Sequence, residues 1–193
     1  MKKMMMLMLL AVAALGVNGS TAEAQQMMNN KMSGNPTVGG AAMYKNKNIV
    51  ENALASPIHT TLVAAVKAAG LVDTLMGKGP FTVFAPTNDA FDKLPAGTVE
   101  TLVKPENKAM LTKILTYHVV PGKMDSKAIM KAIRKGGGTA TFTTVSGNKL
   151  MAMMEGTSIV LRDEKGGTSR ITTADVYQSN GVIHVIDTVV MAN

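Results

Sequence analysis

Residues able to do acid-base, nucleophilic or metal chemistry are few in this chain. It has no cysteine, so thiolate metal sites, cysteine nucleophiles and disulfides are excluded together. Three histidines occur, His59, His118 and His184. No GxSxG elbow, HExxH pair, Walker loop or dinucleotide fingerprint accompanies them. Ser179, His184 and Asp187 form a loose serine, histidine and aspartate set, a combination too common to mark a hydrolase by itself. The glycine run Gly136 to Gly138 follows a helical pattern instead of opening one, the wrong side for holding phosphate. His118 and His184 sit in the apolar runs YHVV and VIHVID, where a histidine is ordinarily buried, neutral and bonded to backbone. The 17 methionines raise soft-metal binding as a question, since thioethers take Cu(I). Several leave with the leader described next, and Met151, Met153 and Met154 lie on a strand-like run where Met153 and Met154 face opposite ways, so core filling explains them better. No enzyme, no metal and no cofactor is the expectation.

The N-terminus has the form of an export signal: Lys2 and Lys3, an apolar run from Met4 to Val17, and Ala22-Glu23-Ala24 as the cleavage site. Residues 1–24 are therefore expected to be removed, with the mature chain starting at Gln25. The apolar run is shorter than the about 20 residues a membrane span needs, so the product is expected to be periplasmic or extracellular and at most peripheral to a membrane. The net charge of +7 drops by one on cleavage. Positive charge is carried mostly by lysine, with Arg134, Arg162 and Arg170 the only guanidinium groups and no Trp for base stacking. That composition argues against nucleic acid and toward acidic polysaccharide or anionic cell surface.

Residues 25–36 are rich in Asn, Gln and Met without helical or strand period and read as a flexible linker; residues 37–193 read as one domain. Helical patterns begin near Asn48, break at SPIHTT with Thr60 as expected N-cap, and resume to Ala69, where Gly70 suits a left-handed C-cap. Phe81 to Ala85 is a buried-strand run stopped by Pro86, with Thr87 capping a turn of helix that carries Ala90 and Phe91. A helix through Met110 to Leu115 is expected to give way to a strand at Tyr117 to Val120, and Ser126 to open another helix. From Thr139 onward the runs Thr139 to Val145, Asn148 to Met154, Thr157 to Arg162, Ser169 to Val176 and Val182 to Met191 are strand-like. Helices first and strands afterwards predict an α+β fold.

Three segments, FTVFAPTNDAF at Phe81 to Phe91, ILTYHVVPG at Ile114 to Gly122 and NGVIHVIDTVVM at Asn180 to Met191, resemble in order and spacing the signature of the fasciclin, or FAS1, family. The resemblance covers Asn35 to Met191. It implies a wedge-like β-sandwich of two packed sheets with helices along one side. It also implies a secreted or surface module for cell adhesion that binds cell-surface or matrix protein or polysaccharide. The family-motif positions are Phe84, Pro86, Thr87, Asp89, Phe91, Tyr117, His118, Asn180, Gly181, His184 and Asp187. In animal matrix members, an acidic motif just before the asparagine-glycine pair is associated with adhesion. Thr173 to Tyr177 align with it here, only Asp175 being retained and Val176 a conservative replacement, so Asp175, Val176 and Tyr177 are the expected adhesion residues. A turn cap is the alternative role for Asp175, and a small-molecule or metal-binding protein of the envelope is the alternative function.

Overall fold

The computed structural model describes residues 35–192. The expected leader and nearly all of the linker lie outside them. Helix α1, Ile49–Ala55, opens on a reciprocal cap: the Asn48 side chain accepts from the Glu51 amide at 2.9 Å, and the Glu51 carboxylate accepts from the Asn48 amide at 2.7 Å. Helix α2, Thr60–Ala69, ends at Gly70 with φ 72°, as its sequence predicts. Its start differs from expectation. His59, not Thr60, holds the cap position without a side-chain cap, and the cap is borrowed: Asn88 Oδ1 accepts from the Thr61 amide at 3.1 Å and the Thr60 hydroxyl at 3.2 Å.

Helix α3, Val72–Met76, precedes strand β1, Phe81–Pro86, and Thr87 then caps α4, Asn88–Asp92, by accepting from the Ala90 amide. After α5, Thr98–Leu102, and a 3-10 turn at Pro105–Asn107, helix α6 runs Lys108–Tyr117. The strand expected from Tyr117 begins only at Val119, as β2, Val119–Pro121. The apolar face of Leu111, Ile114 and Leu115 continues one more turn to Tyr117, whose fully buried ring sends its hydroxyl to the Lys149 carbonyl at 2.7 Å. Helix α7, Ser126–Lys135, follows, then β3, Thr139–Thr143, β4, Lys149–Glu155, β5, Ser158–Arg162, β6, Thr168–Gln178, and β7, Gly181–Ile186. The final strand stops short of Met191 because the Asp187 carboxylate takes the Arg170 amide, while Val189 and Val190 remain buried beyond it.

The content is α+β, but the strands form one seven-stranded ladder in the order β2-β1-β7-β6-β5-β4-β3 where two packed sheets are expected. β6 is the reason. Its 11 residues pair with β5 through Thr168 to Arg170 and with β7 from Ile171 onward, and two irregularities in the second half bend the ladder. The Val145 amide donates to the Val119 carbonyl at 2.7 Å, so the two ends nearly meet in a barrel-like roll.

β1 and β7 pair in parallel and are buried on both faces, which accounts for their unbroken apolar runs; β3 alternates exposed and buried residues. One core lies between these central strands and the helices, with Val83, Ala85, Ile183 and Val185 pointing into it. The other fills the roll, with Phe84, Ile186, Leu150 and Leu161. Helix α7 belongs to this second core through Ile129 and Ile133, apart from the remaining helices, so helices do not all line one side.

Candidate functional site

Charged and aromatic side chains meet at the surface around the C-terminal half of β6, whereas His59, His118 and His184 are buried. At its centre the chain makes an unusual turn: Asp175 has φ 61°, in the left-handed region, within the irregular stretch between Thr173 and Val176. That twist aims its carboxylate at the start of α7. Asp175 Oδ1 accepts from the Ser126 amide at 2.7 Å and Oδ2 from the Ser126 hydroxyl at 2.6 Å. Asp125 caps the same helix by accepting from the Ala128 amide at 2.8 Å. Both carboxylates thus lie at the positive end of the α7 dipole.

Val176 is fully buried, so its side chain serves the core; Asp175 and Tyr177 are half-buried and face outward on either side of it. The backbone of Tyr177 is fixed by Asn35, whose Oδ1 accepts from its amide at 3.0 Å and whose Nδ2 donates to its carbonyl at 2.7 Å. The ring is flanked by two ammonium groups, Lys123 Nζ at 4.9 Å and Lys45 Nζ at 5.6 Å from its centroid. The hydroxyl lies 3.5 Å from Asp125 Oδ2. Burial, then the nearby Asp175 and Asp125 carboxylates, hold the Tyr177 hydroxyl above its ordinary pKa, so it is a neutral donor. Close by, Lys47 Nζ stands 5.0 Å over the Tyr44 ring. An open cleft of about 480 Å³ adjoins this group, lined by Lys78, Lys123, Ser179 and Asn180 among others.

The remaining motif residues are spent on ties within the fold. His184 Nε2–H donates to the Met124 carbonyl at 2.8 Å, Nδ1 accepts the Asp175 amide at 3.4 Å, and the ring stacks on Phe84 at 5.7 Å. Burial lowers its pKa despite the Met124 carbonyl and the two aspartates, keeping it neutral. Both nitrogens being engaged, Ser179, His184 and Asp187 make no proton relay. His118 Nδ1–H donates to the Ile114 carbonyl at 2.8 Å and Nε2 accepts the Val190 amide at 3.3 Å; burial pushes its pKa down to about 4. Asn180 accepts the Ile49 amide at 3.0 Å and donates to the Leu75 and Gly77 carbonyls at 2.8 and 3.0 Å, pinning α1 and α3 to the β6–β7 turn. Gly181 packs so closely on Phe81 that a Cβ would enter the Phe81 carbonyl. Pro86, Phe84 and Phe91 are buried, and Asp89 is exposed in the first turn of α4.

Sequence reasoning missed Lys45, Lys123, Asp125 and Asn35, none of which stands in a motif, and the buried Asp163. That carboxylate accepts from the Lys165, Gly167 and Met191 amides and so ties the β5–β6 turn to the C-terminal segment. An Asp three residues ahead of the Gly166-Gly167 pair was the available signal that its side chain caps this turn.

A family model of the Fasciclin domain matches residues 57–192. The chain is 48% identical over 156 residues to Protein sll1483 of Synechocystis sp., covering 80% of this chain and 78% of that protein. It is 36% identical over 164 residues to the cell surface glycolipoprotein MPB83 of Mycobacterium bovis, covering 81% of this chain and 66% of that one. Among solved structures, a FAS1 domain pair of the insect cell adhesion molecule fasciclin I superposes with a TM-score of 0.67 at 19% identity, over 76% of this chain and 51% of the other. With its three motifs folded as ties between the central strands and their surroundings, and the family model spanning most of the described residues, this chain belongs to the fasciclin (FAS1) family.

Proposed function

We propose that this chain is an exported adhesion module that holds an acidic polysaccharide of a cell surface or matrix in the cleft beside Tyr177. The observation that carries this reading is the Tyr177 ring between Lys45 and Lys123, with Lys78 across the adjoining cleft. Lysine ammonium groups on flexible stems suit the spaced carboxylates or sulfates of an acidic glycan, and the ring and its neutral hydroxyl give a flat platform with one donor. Asp175 takes part indirectly: it holds the start of α7 and with it the Lys123 to Ser126 segment. MPB83 is a cell surface glycolipoprotein and fasciclin I an insect cell adhesion molecule, and both support the same direction.

The test is retention of the purified chain on immobilised polygalacturonate and heparin, beside neutral dextran and a panel of matrix proteins, as salt rises from about 0.05 to 0.5 M. Retention on the acidic glycans alone that fades with salt is expected, weakened about tenfold in the double variant Lys45→Gln, Lys123→Gln, since each exposed ion pair contributes up to about 1 kcal/mol. Equal binding by the double variant removes the cleft as the site. Binding to matrix protein but to no acidic glycan overturns the ligand class.

A further inference from the structure

Under the helical layer, lined by residues other than those of the Tyr177 cleft, lies an apolar cavity of about 80 Å³. Its floor is the central strands, at Val83 and Ile183, and its walls come from α1, α2 and α3. Among its lining residues only His118 and Lys67 have polar side chains. His118 has both nitrogens bonded elsewhere and offers ring carbon alone. A water inside would therefore lack the two to four polar partners that hold buried water, and apolar cavities of this kind stay dry and take apolar guests. The other polar group, Lys67, is exposed and has no ion-pair partner among the described residues. The lining also includes Val63, half-buried, and Leu54, a large apolar residue left 53% exposed.

An apolar interior, an exposed leucine and one cation in the lining are recognition elements that suit an amphiphile. We infer that this cavity binds a single-chain carboxylate amphiphile, a fatty acid, with its tail between α1 and α2 and its carboxylate on Lys67. The volume sets the share of the chain held. A cavity of about 150 Å³ takes one benzene, so the space here takes the last few carbons, and the rest of the chain lies against Val63 and Leu54 toward the ammonium group. This inference rests on different residues from the glycan reading, and either stands without the other.

The experiment is titration of the purified chain with hexanoate, octanoate, decanoate and decanol below their micellar concentrations, by calorimetry and native mass spectrometry. Affinity is expected to rise up to about fourfold per added methylene. Lys67→Gln is expected to weaken decanoate by up to about fivefold, the size of one exposed ion pair, and to leave decanol unchanged. Val63→Phe, which fills the mouth, is expected to abolish both. Should Val63→Phe fail to fold, Leu54→Gln, at an exposed position, must lower affinity for both. Absence of decanoate binding, an unaltered Kd in the mouth variant that folds, or an equal effect of Lys67→Gln on decanoate and decanol would each overturn the assignment.

Discussion

Asp175 does two things that substitution can separate: it occupies the left-handed region at φ 61°, and it accepts two hydrogen bonds at the start of α7. Alanine removes the acceptors and retains a Cβ in a conformation that alanine tolerates poorly. The lost cap is worth about 1–2 kcal/mol and the strain about 1 kcal/mol, together about 2–3 kcal/mol. Glycine relieves the strain and still loses the cap, about 1–2 kcal/mol. Asparagine tolerates the conformation and keeps an oxygen for the Ser126 amide, losing only charge facing the helix dipole, about 0.5–1 kcal/mol. At about 2–4 °C per kcal/mol for a domain of this size, the order of melting points should be wild type, Asn, Gly, Ala, with Ala roughly 5–10 °C below wild type. Circular dichroism on heating and in urea reads the series, and amide exchange at Ser126 and Ala128 should speed up most in Ala. Asp175→Ala melting within about a degree of wild type, or Asn falling as far as Ala, would refute the capping role. The series also decides how to probe binding: Asp175→Asn reports on the carboxylate's charge with the fold nearly whole, whereas a binding loss in Asp175→Ala would mix both effects.

Acid should destabilise the protein through its neutral histidines. With the His118 pKa held down to about 4 by burial, the unfolded chain takes up a proton below about pH 6.5 that the folded chain refuses until about pH 4. Stability from this group is whole above pH 6.5 and is lost as pH falls toward 4, at up to about 1.4 kcal/mol per pH unit. Urea unfolding from pH 7.5 to 4.5 should show this slope, with His59 and His184, also lowered by burial, adding to it; His118→Gln should flatten it, and an unchanged slope would contradict the assignment. Gly181→Ala should cost more than about 3 kcal/mol, because the new Cβ meets rigid backbone at Phe81 and β1 must part from β7; a melting point within a few degrees of wild type would show that the two strands yield.

Local features were legible in the sequence because their causes are local. Gly70 ends α2 and Thr87 caps α4 through contacts a few residues away, and the alternation in β3 and β4 reports one buried face. The apolar runs of β1 and β7 reported burial on both faces but not that the two pair in parallel, since nothing in either run encodes its partner. Borrowed caps were equally unreadable: Asn88 serves α2 and Asp175 serves α7 from other elements. The bend that makes one ladder of the strands turns on Asp175, where no glycine announces the positive φ. The lysines around Tyr177 come from segments distant in sequence, so each alone reads as ordinary solvated charge.

The distribution of hydrogen bonds separates residues that build this domain from residues that can choose a ligand. His118, His184, Asn180 and Asp187, which carry the family resemblance, spend their donors and acceptors on backbone groups inside the fold. Turning His118, His184 or Asn180 toward a ligand would orphan a buried or part-buried partner at about 1–3 kcal/mol each, a large part of the stability of a domain without disulfides. The side chains with capacity left are those facing water: Lys45, Lys78 and Lys123 around Tyr177, and Lys67 with Leu54 at the mouth of the apolar cavity. On the proposed readings, substitution of the first set should register in folding and of the second in binding, so melting and affinity measured side by side separate the two.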